Sequence, residues 1–410
     1  MGSVLKGIRR AWTLPVWVAA LGYFVDIFDL VLFSMLRVHS LMDLGLDKEF
    51  ILSEGENILA GQMLGFLLGG ILWGVLGDKI GRKAILYGSI ALYSVANIAN
   101  AFVSDVHAYA VVRFFAGLGL AGELGAAVTL VSELLSKELR GYGTMLVATI
   151  GLLGAVAAGL LAHTFHWRVM YIIGGLLGIA LLITRAKVLE SSMFDRIKQM
   201  DVPRGAWLRL FTSRDRFARY IKGILIGVPI WYSVAILIVF APEMARFLEV
   251  KGEVSAIDAV MWCYLGVAVG DMLSGTFSQL IRSRKKAVLL FLTVLSVLVV
   301  AYFQLRGVPA WFFYLESFFI GIATGYWAVF ITIAAEQFGT NIRATVATTT
   351  PNFVRGSVAL ITPTFKLLRQ HVSISVAALL IGVVVIALAY WSILTIQETY
   401  GKDLDFIEEL

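Results

Sequence analysis

Two aspartates, Asp26 and Asp29, stand three positions apart in the apolar stretch "GYFVDIFDLVLF". At that spacing they share a helix face, and their neighbours would place them in hydrocarbon. An ionisable side chain inside a bilayer is costly and is by default a functional hypothesis. Two close acids in a low dielectric do not comfortably both ionise, which suits reversible loading of a proton. A second apolar stretch, "RFFAGLGLAGELGAAVTLVSE", carries Arg113 and Glu123. Arg355 stands near the middle of another stretch, with no acid in its own span. Arg113 can pair with one of the aspartates or bind a substrate carboxylate. Arg355, from the other half of the chain, would then clamp an anion from the opposite side, because guanidinium forks match carboxylates. Asp26, Asp29 and Glu123 are the candidates for proton coupling, and Arg113 and Arg355 for substrate binding. Tyr23 and Trp327 are candidates to line the same cavity. Structural ion pairing in a bundle interior is the competing explanation for each charge, and Asp271 and Glu316 are weaker candidates of the same kind.

Covalent chemistry finds no support. The single cysteine, Cys263, sits in an apolar run, and the five histidines are scattered without H-E-x-x-H spacing. No nucleophile elbow is present. The expectation is a protein that is not an enzyme and uses no cofactor or metal, with H+ as its coupling ion.

The elements that must position these charges follow from composition. Of the 410 residues, 59% are hydrophobic and 15% charged, against roughly 25% charged in an ordinary soluble domain. Apolar stretches near twenty residues recur along the whole chain, long enough for about 30 Å of hydrocarbon. Helices satisfy their own backbone in lipid, and the alternation of a membrane β-barrel is absent. The reading is an all-α polytopic membrane protein with twelve transmembrane helices. They fall at about 14–36, 56–77, 84–103, 108–131, 143–162, 167–184, 220–241, 258–280, 287–304, 308–331, 345–366 and 372–394. The net charge of +6 is assigned to loops rather than to nucleic-acid binding. Lysine and arginine gather in alternate loops (Lys79, Arg82 and Lys83; Arg282, Arg284, Lys285 and Lys286), which puts both termini in the cytoplasm. The long basic connection at 185–219 divides the chain into one six-helix bundle at 1–184 and another at 220–410.

The two halves echo one another. Gly61, Gly65 and Gly69 repeat at an offset of 205 as Gly266, Gly270 and Ser274. "RFFAGLG" from Arg113 repeats as "SFFIGIA" from Ser317, and each is followed by an acid with a base seven residues on, Glu133 with Arg140 and Glu336 with Arg343. Small residues every four positions let membrane helices approach closely. The repetition implies two pseudo-symmetric bundles about an axis along the membrane normal.

The turn after the second span, "GVLGDKIGRK", packs two glycines and a mixed-charge knot at a membrane face. Gly74, Asp78, Lys79, Gly81, Arg82 and Lys83 resemble the major facilitator superfamily signature G-x-x-x-D-R/K-x-G-R-R/K at every position. The counterpart after the eighth span, "SQLIRSRKK", keeps the bases and lacks the acid. Within that superfamily, "DIFDLVLF" and the R-F-x-x-G-x-G pattern with Gly122, Glu123 and Glu133 resemble the metabolite:proton symporters, with Ala121 in place of one glycine. The resemblance implies proton-coupled uptake of a small polar metabolite, an organic acid or zwitterion, by alternating access. It gives Gly74, Asp78, Gly81, Arg82, Lys83, Glu133, Arg140, Glu336 and Arg343 conformational gating roles. It further implies a multi-pass protein of a bacterial inner membrane, working as a monomer with a small polar solute, a proton and the lipid bilayer as its partners. A proton-driven efflux carrier for a small metabolite, drug or siderophore is the alternative.

Overall fold

The structure is a computed structural model. It describes residues 12–80, 82–123, 135, 140–185, 207–402 and 406–408. Gly81 and Glu133 lie outside the described residues, as do the side chains of Asp78, Arg82, Lys83 and Arg140.

The first half contributes α1 (Leu14–Asp43), α2 (Ile51–Ile80), α3 (Arg82–Asn100), α4 (Val106–Leu120), α5 (Arg140–Ala162) and α6 (Trp167–Arg185). The second half is more interrupted. It runs through α7 (Arg214–Tyr232), a π-helical turn (Ser233–Ile238), α8 (Ala241–Phe247), α9 (Ala256–Leu280), α10 (Arg284–Tyr302), α11 (Ala310–Thr324), α12 (Trp327–Glu336), α13 (Thr340–Gly356), α14 (Val358–Leu368) and α15 (Ile374–Thr395). Among the described residues, nine helices are long and apolar enough to cross a membrane. Three rods of the second half are broken: α7 continues through the π turn into α8, α11 into α12, and α13 into α14. Joining these pieces gives, among the described residues, an all-α bundle of twelve rods.

The breaks have local causes. Pro229 lies inside α7 and Pro242 opens α8. The π turn leaves the Leu237 carbonyl to accept from Tyr302 Oη at 2.8 Å, and π turns inserted in α-helices concentrate at functional sites. α7 begins at Arg214, inside the stretch that hydropathy assigns to the central connection. Its charged first turns ("RDRFAR") hide the helix from a hydropathy count.

Glycine sets the closest helix approaches. A Cβ on Gly65 would collide with the Phe114 carbonyl oxygen, and one on Gly69 with that of Leu118. In the second half the same roles fall to Gly266 against Phe318 and Gly270 against Ile322. Gly117 faces Gln62 as Gly321 faces Cys263. The two halves therefore do repeat, but Gly65 corresponds to Gly266, one helical turn away from the register that the glycine spacing suggested. Gly61 meets nothing within 4 Å. Replacing Gly266 by valine is expected to cost about 1–3 kcal/mol or more by overpacking, while Gly61→Ala leaves stability near wild type. Thermal unfolding of the purified variants in detergent checks the contrast.

Two seams join the halves. Along one, α2 packs on α13 through Gly70 against Asn352, Gly74 against Thr349 and Leu67 against Gly356. Along the other, α5 packs on α9 through Gly159 against Met261 and Gly275 against Met145.

Candidate functional site

Arg355 lies in the last turn of α13, beside its final residue Gly356, and its side chain is only 2% exposed. Its guanidinium carbon stands 5.1 Å from the Phe66 ring of α2, 5.2 Å from the Trp327 ring of α12 and 5.9 Å from the Trp231 ring of α7. One polar contact orients it, a long hydrogen bond from Nη1 to Asn352 Oδ1 at 3.4 Å. Asn352 in turn donates to the Ala121 carbonyl at 2.8 Å, across the seam between the halves. Among the described residues no carboxylate lies within ion-pair distance of Arg355, and its Nε has no hydrogen-bond partner. Cation–π contacts stabilise a desolvated guanidinium but leave its donors unfilled. Tyr23 of α1 is 1% exposed and lies close enough to Arg355 and Trp327 to interact with both. The structure thus brings together three of the candidates read from the sequence, Tyr23, Trp327 and Arg355. It adds Phe66, Trp231 and Asn352, whose types carried no signal of their own in an apolar chain.

Both anchors of this cage sit at helix interruptions. Trp327 opens α12, and Arg355 lies in the last turn of α13. Discontinuous helices supply substrate sites in many transporters. A narrow cleft between α5 and α12, lined by Thr144, Val147, Ala148, Ile331 and Thr332, ends on Trp327.

Arg113 is elsewhere. It is fully buried inside the first half, where Nη2 donates to Asn97 Oδ1 at 2.5 Å and the guanidinium covers the Tyr171 ring at 4.6 Å. Tyr171 and Tyr109 share a hydrogen bond of 2.6 Å, and Tyr109 donates to Ser40 Oγ at 3.2 Å. Asp29 joins this cluster, next to Asn97 and Arg113, with no exposed surface. Gly174 of α6 makes the room, since a Cβ there would strike Asp29 Oδ1. Among the described residues neither Asp29 oxygen has a partner at hydrogen-bond distance. The clamp of two arginines expected from the sequence is therefore not what the fold assembles: Arg113 faces Asp29, and Arg355 faces the aromatic cage. Asp26 is buried one turn from Tyr23, and Glu123 is buried at the end of its described stretch.

The gating candidates also sort differently. Gly74 faces Thr349 across the seam. Glu336 accepts from Arg284 at 2.8 Å, and Arg343 donates to the Phe338 carbonyl at 3.1 Å. The ion partner of Glu336 thus comes from the basic run after the eighth span. At the face of the bundle away from the chain termini, three pairs close one half on the other. Arg37 of α1 holds Glu243 of α8 with two hydrogen bonds of 2.9 Å. Arg369 holds Glu56 at 3.0 and 2.7 Å, and His163 meets Asp258 at 2.9 Å. Nothing in the sequence pairs these residues, which stand 206, 313 and 95 positions apart.

Arg37 has no exposed surface, so removing its partner strands a buried charge, at a cost of about 3–5 kcal/mol. Glu243→Gln is expected to open this face. In an otherwise cysteine-free background (Cys263→Ser), Ile51→Cys beside Arg37 should react with an impermeant maleimide at least about tenfold faster once Glu243→Gln is added.

A bundle of broken and glycine-packed helices, split by two seams around a buried cationic cage, is the architecture of a solute carrier. The Major Facilitator Superfamily profile matches residues 19–363, and the chain belongs to that family. It is a membrane transporter of small metabolites, and not an enzyme. The chain is 26% identical over 382 residues to a candidate niacin/nicotinamide transporter of Bacillus subtilis, spanning 88% of this chain and 89% of that protein. It is 26% identical over 297 residues to the 3-(3-hydroxyphenyl)propionate transporter of Escherichia coli, spanning 70% and 71%. In fold it resembles the proton:xylose symporter XylE, with a TM-score of 0.71, 16% identity and 98% of each chain covered.

Proposed function

We propose that the chain is a proton-coupled uptake carrier for a small aromatic carboxylate. The observation that carries this reading is Arg355: a membrane-buried guanidinium that has no carboxylate partner among the described residues, walled by three aromatic rings between the halves. A carboxylate fills the vacant donors of the fork, and a flat ring stacks on Trp327 or Trp231. The substrates named for the two relatives, niacin or nicotinamide and 3-(3-hydroxyphenyl)propionate, each pair a ring with a polar or acidic group.

In this reading the halves 1–184 and 220–410, joined by 185–219, rock about the cage, and the protein sits in a bacterial inner membrane with both termini cytoplasmic. The face closed by Arg37–Glu243, Glu56–Arg369 and His163–Asp258 is then the outer one, and the cleft beside Thr332 leads inward. Asp29 is the proton carrier, since it is fully buried beside Arg113 and, among the described residues, no salt bridge fixes its carboxylate. Arg113 senses its charge, and Tyr171 and Asn97 hold Arg113 in place. Loading Asp29 and filling the cage together favour one state over the other. A monomer contains the whole cycle.

Isothermal titration of purified protein with nicotinate, 4-hydroxybenzoate and their neutral amide analogues tests the reading. Saturable binding of the acids, with the amides at least about tenfold weaker, is expected. Equal binding of acid and amide would overturn it.

A further inference from the structure

The aromatic wall over Arg355 depends on a helix start in mid-membrane, and one carboxylate from another rod holds that start. α11 ends at Thr324 and α12 begins at Trp327. A Cβ on the intervening Gly325 would collide with the backbone of Gly270 and Asp271, so α9 passes directly against the break. Asp271 has no exposed surface, and its Oδ1 accepts from the Ala328 amide at 3.0 Å. Its Oδ2 has no hydrogen-bond partner. The first amides of a helix have no intrahelical acceptor, and hydrocarbon offers none. Tyr326, at the N-cap position, supplies no side-chain bond. Asp271 therefore caps α12 from a neighbouring helix. The residue beside that bonded amide is Trp327, whose ring stands 5.2 Å from the Arg355 guanidinium.

We propose that Asp271 is a positioning residue for substrate: by capping α12 it sets the angle at which Trp327 stands over Arg355. The inference rests on the carboxylate reading above for what the cage binds, but the cap itself does not. The role requires an acceptor and not a charge, which separates it from a proton-carrying role. Asparagine keeps an acceptor oxygen and serves equally well as a cap. Alanine removes it. Among the described residues, Tyr23 of α1 is the titratable group from another rod close enough to Asp271 to interact with it.

The test is titration of nicotinate and 4-hydroxybenzoate into wild type, Asp271→Asn, Asp271→Ala, Trp327→Ala and the Asp271→Ala/Trp327→Ala double variant. Asp271→Asn is expected to bind within about threefold of wild type, and Asp271→Ala about tenfold more weakly. The double variant should bind no more weakly than Trp327→Ala alone, because both changes act through one ring. An asparagine variant as weak as the alanine one, or single losses that multiply in the double variant, would overturn the proposal. Amide hydrogen exchange over residues 327–331 in ligand-free protein gives a second readout. Faster exchange in Asp271→Ala with Asp271→Asn unchanged supports the cap, and equal exchange in all three refutes it. Should wild type bind neither probe, the carboxylate reading fails while the exchange result still decides the role of Asp271. Should Asp271→Ala not fold, wild-type affinity and exchange in Asp271→Asn support the acceptor role, and loss of either refutes it.

Discussion

Arg355→Gln is expected to lower affinity for aromatic carboxylates by about a hundredfold to a thousandfold, the scale of losing one side of a buried charge pair. The argument starts from what surrounds Arg355. Its side chain is 2% exposed, its Nε has no partner, and its one side-chain hydrogen bond is a long one to Asn352. A buried charge without a counter-charge destabilises the protein that holds it. In the proposed reading the counter-charge arrives with the ligand. Two consequences follow from the same physics. The ligand-free glutamine variant should melt at or above the wild-type temperature, because the stranded charge is gone. Arg355→Lys should recover little affinity, since an ammonium cannot offer a flat fork or stack between rings. Isothermal titration and thermal unfolding read both. A glutamine variant that binds within about threefold of wild type would place the carboxylate elsewhere.

Asp29→Asn is expected to abolish accumulation driven by a pH gradient while leaving substrate exchange across proteoliposomes intact, a separation of at least about tenfold between the two rates. Asp29 lies in the Arg113–Asn97–Tyr171 cluster inside the first half, and the contacts of Arg355 lie in the cage between the halves. Losing the acid therefore removes the proton without touching the substrate fork. The amide is close to isosteric with the acid, so Gly174 still accommodates it. Counterflow of labelled substrate in the absence of a gradient checks the first half of the expectation, and uptake under an inward proton gradient the second. Equal loss of both would make Asp29 a structural or substrate residue. Asp26→Asn, one turn away and next to Tyr23, should instead alter affinity.

Much of this was legible in the sequence, for reasons that particular residues make clear. Apolar runs near twenty residues announce membrane helices, and charges inside them mark candidate residues, so Asp29, Arg113 and Arg355 all stand out. Their pairing does not. Asp29 and Arg113 both belong to the first half, and only the rotation of α1 and α4 about their axes decides that they meet on its inside, away from Arg355. The glycine repeat was readable, but a stripe with a period of four looks the same when shifted by four, so Gly61 and Gly65 were interchangeable until the Phe318 carbonyl picked out Gly266 as the partner of Gly65. Phe66 and Trp231 carry no signal in a chain with 26 phenylalanines and 10 tryptophans. Asp271 reads as one more buried acid, and its bond to the Ala328 amide becomes visible only where Gly325 interrupts a helix that hydropathy draws as continuous. The breaks at Gly325 and after Gly356 are the features that hydropathy smooths over, and the cage is built on them.

The most direct test of the account is uptake of labelled nicotinate and 4-hydroxybenzoate into proteoliposomes under an inward proton gradient, with the neutral amides as competitors. The account expects saturable accumulation of an acid that collapses when the gradient is dissipated, is blocked by unlabelled acid and is barely affected by the amide. Accumulation that ignores the proton gradient, or inhibition by amide and acid alike, would contradict it.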